Sequence, residues 1–262
     1  MNYEGLLLEK DNGIATITLN APEKLNALTE KMRHSLPLAV ADVARDDAVR
    51  VVIVTGAGRG FCSGADVATM TNRPAATSRQ ELLRVLLEDI TAIFPRLEKP
   101  VIAAVNGACA GGGFSLALSC DIRIASEAAK FGASQTARGL IPDGGMTYFL
   151  PRLVGMSRAL ELMFTAELIG AAEAERLGIV SQVVPQGELM RVAKELATKI
   201  ARQAPISISL IKRMAYRTML DDLSRHLDLE TWAQQICRQT EDHKESVRAF
   251  LEKRPQPPFK GR

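Results

Sequence analysis

Several things are scarce in this chain of 262 residues, and each scarcity excludes something. The four cysteines, Cys62, Cys109, Cys120 and Cys237, form no C-x-x-C pair and stand beside no histidine cluster. That pattern speaks against a zinc site and predicts reduced thiols in a cytoplasmic protein. There are only three histidines, His34, His226 and His243. All three fall on segments of helical pattern and read as surface or interface residues. An excess of one charge is also missing: 33 basic and 30 acidic residues leave a net +3, so nucleic acid is not an expected partner. No segment reads as a membrane span. The apolar stretch 101–118 is long enough by count, yet it holds Asn106 and four glycines and runs into Asp121 and Arg123. The opening MNYEGLLLEKDNG carries charges where a signal peptide needs an apolar core, so no secretion is expected. What remains is 47% hydrophobic and 24% charged residues, the composition of a soluble globular protein able to bury a full core.

Taken in order, 5–9 and 14–19 read as a hairpin around Asp11-Asn12-Gly13. A loop over 20–28 leads to Thr29, the expected N-cap of a helix to about Arg45, which Pro37 should kink. Residues 51–55 (VVIVT) form a buried strand ending in a glycine turn. The polar stretch 69–77 reads as a mobile segment, and 79–97 has helical periodicity. A second apolar strand, 101–105, meets a second glycine turn and then a helical segment, 114–119. Short strands are expected at 121–125 and 130–131, with a loop or short helices over 132–145. From about Tyr148 amphipathic helices dominate: 147–154, 157–165, 171–177, 189–203, 205–218, 223–239 and 242–253, interrupted by a strand-like piece at 180–184. Trp232 sits on one of these helices and reads as a core or interface residue. The fold class is α/β with a helical extension, and no linker separates the two parts.

The two glycine turns echo one another. VVIVT-GAGRGFCSGAD begins at Val51 and VIAAV-NGACAGGGFS at Val101, each an apolar strand, a glycine turn and small residues entering a helix. Three consecutive glycines, Gly111 to Gly113, carry an entropic cost and suggest a close approach of main chain to something. One reading is a buried turn packing backbone on backbone. The other is an oxyanion hole in which one N–H from each turn lies about 2.7–3.1 Å from a developing negative oxygen. Neither turn is a P-loop, since no Gly-Lys-Ser/Thr follows. Neither is a dinucleotide fingerprint, because Phe61 stands where the third glycine belongs.

Longer motifs narrow the choice. PEKLNAL at 22–28, GRGFCSGAD at 58–66, NGACAGGG at 106–113, CDIRIAS at 120–126, GLIPDGG at 139–145 and the closing FLEKRPQPPFKGR occur in this order over essentially the whole chain. In them the sequence resembles the crotonase, or enoyl-CoA hydratase/isomerase, superfamily. It is most similar to the 1,2-epoxyphenylacetyl-CoA isomerase and enoyl-CoA isomerase branch. The resemblance implies a crotonase (ClpP-like) spiral of ββα units in two roughly perpendicular sheets over 1–200. It further implies a C-terminal helical trimerisation region over 201–262, and a homotrimer or dimer of trimers. It implies an acyl-CoA thioester substrate, with coenzyme A as part of that substrate and no separate cofactor or metal. The thioester carbonyl would lie between the N–H groups of Ala65 and Gly112. Lys24, Ala27, Ser63, Ala65, Asp66, Val67 and Gly111 would line the substrate site. Phe259 and Lys260 would reach the CoA of a neighbouring subunit, unless the tail is simply solvated. Arg59 is a further candidate for a phosphate, or an exposed turn residue.

Against that pattern, two glutamates are missing. Hydratases of the family carry one three residues after the oxyanion glycine, where this chain has Ser115. The other lies four residues after the Phe of Lys-Phe-Gly, where it has Gln135. Neither side chain can exchange a proton usefully near neutral pH. One carboxylate remains, Asp143, after Pro142 and before Gly144-Gly145, at a position where some members place a catalytic aspartate. Flanked by Leu140, Ile141 and Met146, it could be desolvated and shuttle a proton; alternatively it caps the next helix as a turn residue. With Ser115, Gln135 and Pro142 near the acyl group, the expected activity is a double-bond shift through Asp143. Hydration by Asp143 or a Ser115-held water, and a non-catalytic acyl-CoA-binding homologue, are the alternatives. A nucleophilic aspartate with a histidine base is not expected, since no histidine lies near the glycine turns.

Overall fold

Asn12 and Gly13 both have positive φ, +49° and +79°, which a two-residue type I′ turn requires. They join β1 (Leu6–Asp11) to β2 (Ile14–Leu19) in register, Asp11 opposite Ile14. The computed structural model describes residues 3–66 and 93–262. The stretch 69–77, Val67 and most of the helix expected over 79–97 lie outside them.

After β2 the chain enters α1 (Glu30–Arg45), capped by the Thr29 hydroxyl, which accepts from Met32 N. The helix runs unbroken through Pro37 and turns Met32, Leu36, Ala39 and Val43 into the core. Then come β3 (Val51–Gly56), β4 (Gly60–Cys62), α2 (Ile93–Arg96), β5 (Val101–Val105), β6 (Ala108–Ala110) and α3 (Gly112–Leu118). Strands β7 (Ile122–Ser126) and β8 (Lys130–Gly132) precede α4 (Met146–Val154), α5 (Met156–Thr165) and β9 (Leu168–Gly170). The chain ends in α6 (Ala171–Arg176), β10 (Gln182–Val184), α7 (Leu189–Ala201), α8 (Pro205–Arg217), α9 (Leu223–Gln239) and α10 (Glu241–Leu251).

Six strands form one sheet in the order β1-β2-β3-β5-β7-β10, parallel except at β1. β3 and β5 are buried along their whole length, as strands covered on both faces must be. One face packs on α1. The other presents Ile53, Ile102 and Ile124 to Leu189, Ala193 and Ala197, a three-residue stripe at a spacing of four on α7. Four three-residue strands make the second sheet, β4-β6-β8-β9. Each of β3, β5 and β7 leaves the first sheet by a short turn and enters the second as β4, β6 or β8. The echo between 51 and 101 is this repeated unit.

Asn106 ties two of these turns together. Its Oδ1 accepts from Gly56 N at 3.2 Å, and its Nδ2 donates to Gly58 O at 2.9 Å and Gly60 O at 3.1 Å. Asn26 does the same from the 22–28 loop: its Nδ2 donates to Ala57 O and Gly60 O, and its Oδ1 accepts from Ala21 N.

The last three helices extend beyond the sheets. Lys212 of α8, only 6% exposed, pins them to the core by donating to Asp121 Oδ2 (2.8 Å), Phe94 O (2.8 Å) and Lys99 O (3.0 Å). Asp121 in turn accepts from Tyr216 Oη and Val101 N. Burial pushes the Lys212 ammonium below its ordinary range, with Asp121 opposing the shift, and the same burial raises the Tyr216 phenol. Leu220, Leu223, Trp232, Phe250 and Leu251 all stand exposed on this extension, so Trp232 is no core residue within the chain. His226 departs from the expected surface position: it is buried in the first turn of α9, its Nε2 3.3 Å from Glu230. Among the described residues no helix is long and apolar enough to cross a membrane.

Candidate active site

The 22–28 loop is zipped to the end of the first glycine turn. Ser63 N donates to Leu25 O at 3.0 Å, Leu28 N to Gly64 O at 2.7 Å, and Ser63 Oγ to Lys24 O at 3.1 Å. Lys24 Nζ and Asp66 Oδ2 close the edge with an ion pair at 2.8 Å. In a planar trans peptide the C=O and N–H point in opposite directions. Since Gly64 O faces Leu28, the N–H of Ala65 leaves the zipper on its far side.

The second turn presses against the first. Gly64 has φ +98°, and a Cβ there would lie 2.9 Å from Ala110 O and 3.2 Å from Gly112 N. A Cβ on Gly113 would stand 2.1 Å from Cys62 O. The buried-turn expectation for the triple glycine therefore holds: backbone packs on backbone, and the packing sets Gly64, and with it the Gly64-Ala65 peptide, beside Gly112. Gly112 is the first residue of α3, so its N–H has no carbonyl one turn earlier to bond. Gly111 N donates to Gly132 O at 2.9 Å, anchoring the turn to β8.

Ser115, Gln135 and Asp143 meet on this turn. The fully buried Ser115 hydroxyl donates to Asp143 O at 2.8 Å and reaches Gly111 O at 3.4 Å. Gln135 Nε2 donates to Asp143 Oδ1 at 3.3 Å. Pro142, buried, precedes Asp143 in the loop. Two expectations for Asp143 fail. It is exposed and not desolvated, because Leu140 and Ile141 are themselves exposed and only Met146 turns inward. Nor does it cap α4: Gly145 holds the cap position, with no side-chain bond there. Its carboxylate goes to Gln135 instead.

Other site candidates are spread more widely. Ala27 is buried behind the zipper, and Arg59 is exposed. Phe259 is half-buried and Lys260 exposed, in a tail whose Lys260 N and Gly261 N both donate to Asp242 at 2.7 Å. Within one chain they are not brought to the glycine turns. A cavity of about 420 Å³ lies under α8, against Leu118, Asp121, Phe149, Lys212 and Tyr216, and touches none of Ala65, Gly112 or Asp143. Burial pushes the Cys62 thiol up to about 12, so it stays protonated beside the site. Asn26 and Asn106, which set the turns, escaped the sequence reading of the site. The N-A of PEKLNAL and the N-G after β5 were their only signals.

Two sheets of repeated strand–turn–strand units, with glycine turns abutting at one point, define a crotonase-type α/β fold. The structure superposes on the crystal structure of enoyl-CoA hydratase from Bacillus anthracis with a TM-score of 0.91 and 35% identity, covering 98% of this chain and 100% of that one. The profile of the family "Enoyl-CoA hydratase/isomerase" matches residues 9–262, and the chain belongs to that enzyme family. It is 41% identical over 263 residues to a short-chain-enoyl-CoA hydratase of Clostridium acetobutylicum, covering 100% of both chains. It is 38% identical over 261 residues to the 1,2-epoxyphenylacetyl-CoA isomerase of Escherichia coli, covering 99% of both.

Proposed function

We propose that this enzyme binds an acyl-CoA thioester with its carbonyl between the N–H groups of Ala65 and Gly112 and shifts a double bond. Asp143 removes a Cα proton from a 3-enoyl thioester. The C–H electron pair becomes a dienolate whose oxygen the two N–H dipoles stabilise, and the protonated Asp143 returns the proton at Cγ. No cofactor or metal enters this scheme, and coenzyme A is part of the substrate. The observation that carries the reading is the polar cluster at Gly111-Gly112, with Gln135 on the Asp143 carboxylate and Ser115 on its carbonyl. Lys24, Ala27, Ser63, Asp66 and Val67 would line the CoA side. Phe259 and Lys260 would serve a neighbouring subunit.

Hydration is the second reading, favoured by the 41% identity to a hydratase. Assaying 3-enoyl-CoA isomerisation beside crotonyl-CoA hydration decides between them. Asp143→Asn should lower the faster reaction by about 10²–10⁴-fold; unchanged turnover would remove Asp143 from the chemistry. Binding of CoA thioesters without turnover of any would leave a non-catalytic homologue.

The assembly we propose is a trimer or dimer of trimers built through 201–262, supported by the exposed apolar side chains of α9 and α10. A cytoplasmic location goes with the four free cysteines.

A further inference from the structure

Gln135 is 8% exposed, and its Oε1 is buried without a hydrogen-bond partner. The orientation of the amide follows from its neighbour. Turning it over would set Oε1 against Asp143 Oδ1, two acceptors with no proton between them, so Nε2 faces the carboxylate and Oε1 is the free end. The amide lies over the second glycine turn: its Cδ is 3.8 Å from where a Cβ on Gly111 would stand. Ser115, whose hydroxyl belongs to the same cluster, gives its one proton to Asp143 O at 2.8 Å and has none left for it. A buried amide oxygen left unpaired is costly, and such an atom beside a binding site calls for a donor from outside the chain. Neither a hydrocarbon acyl chain nor the thioester itself can donate.

Resting on the acyl-CoA reading above, we propose that Gln135 sets substrate specificity: its Oε1 accepts a hydrogen bond from an O–H group on, or held beside, the acyl chain, while its Nε2 positions Asp143. The O–H belongs either to a hydroxyl carried by the acyl group or to a bound water. The two roles sit on different atoms of one amide, so two substitutions separate them. Gln135→Met keeps the shape and removes both. Gln135→Glu keeps an oxygen acceptor and loses the donor to Asp143.

The test measures Kd for butanoyl-CoA and for its 2-, 3- and 4-hydroxy derivatives, with the full-length protein and both variants. Expected for a hydroxyl partner is wild-type preference for one hydroxy isomer over butanoyl-CoA by about tenfold, the effect of one hydrogen bond. That ratio falls to about 1 in Gln135→Met and persists in Gln135→Glu, whose kcat drops instead. A general loosening of the fold would weaken all four ligands together and leave the ratio alone. Expected for a water partner is no hydroxy preference. Gln135→Met then slows crotonyl-CoA hydration at least about tenfold more than 3-butenoyl-CoA isomerisation. If Gln135→Met changes neither the Kd ratio nor the rate ratio, the proposal is overturned. A wild-type protein that turns over neither substrate overturns the enzymic reading instead, and the Kd ratio still decides the role of Gln135.

Discussion

Gly112 has two attributes that can be pulled apart. It lacks a side chain, and it carries an N–H that α3 does not use. Proline is tolerated at the first position of a helix because that N–H has no intrahelical partner. Gly112→Pro should therefore keep the fold, the nearest atom to its new Cβ being Leu28 Cδ1 at 3.2 Å, the end of a flexible side chain. It removes a proposed oxyanion donor, so kcat should fall about 10²–10³-fold. Circular dichroism beside steady-state kinetics checks both halves; a folded variant with wild-type kcat would take Gly112 out of the hole. Asp143 shows where residue-level reading stops. Its neighbours in sequence suggested burial, but burial depends on which way Leu140 and Ile141 turn, and they turn outward. Gln135 and Ser115 were legible as substitutions within a pattern. Their shared grip on Asp143 needed coordinates, because the contacts span 8 and 28 residues.

Among the elements, those with enough length to show a period were legible. α7 carries a long amphipathic stripe, and β3 and β5 begin as unbroken apolar runs. The second sheet was not readable from periodicity. Its strands are three residues each, too short for any alternation, and two of them lie inside what read as glycine turns. Only the family resemblance supplied a second sheet. At this scale the pin between α8 and the first sheet is the sharpest test. Lys212→Met would leave the partly buried Asp121 without its cation and should destabilise the protein by about 3–5 kcal/mol in chemical denaturation. A loss below about 1 kcal/mol would mean that the carboxylate is already satisfied by Tyr216 and Val101.

For the molecule as a whole, the C-terminal extension exposes Phe250 at 81%, Leu220 at 78% and Leu251 at 74%. Apolar groups of that size in water favour burial against another surface. The proposed trimer would cover them, and Trp232, the chain's one tryptophan, rides on the same extension at 54% exposed. Sedimentation at micromolar concentration should give three or six chains. On dilution to dissociation, tryptophan emission should shift to the red as the indole becomes wet. A single-chain species with unchanged emission at every concentration would remove the assembly.

β5 joins these scales mechanically. Its first N–H, on Val101, donates to the same Asp121 that grips Lys212, and its last residue runs into Asn106, which ties both glycine turns. Between the two lie five fully buried residues, a rod of about 16 Å with no slack to absorb a displacement at either end. Docking of the extension and placement of the two glycine turns are thus read from the two ends of one strut. Undocking should not leave an active core behind. In a urea titration, activity and the extension's helical signal should vanish at one midpoint.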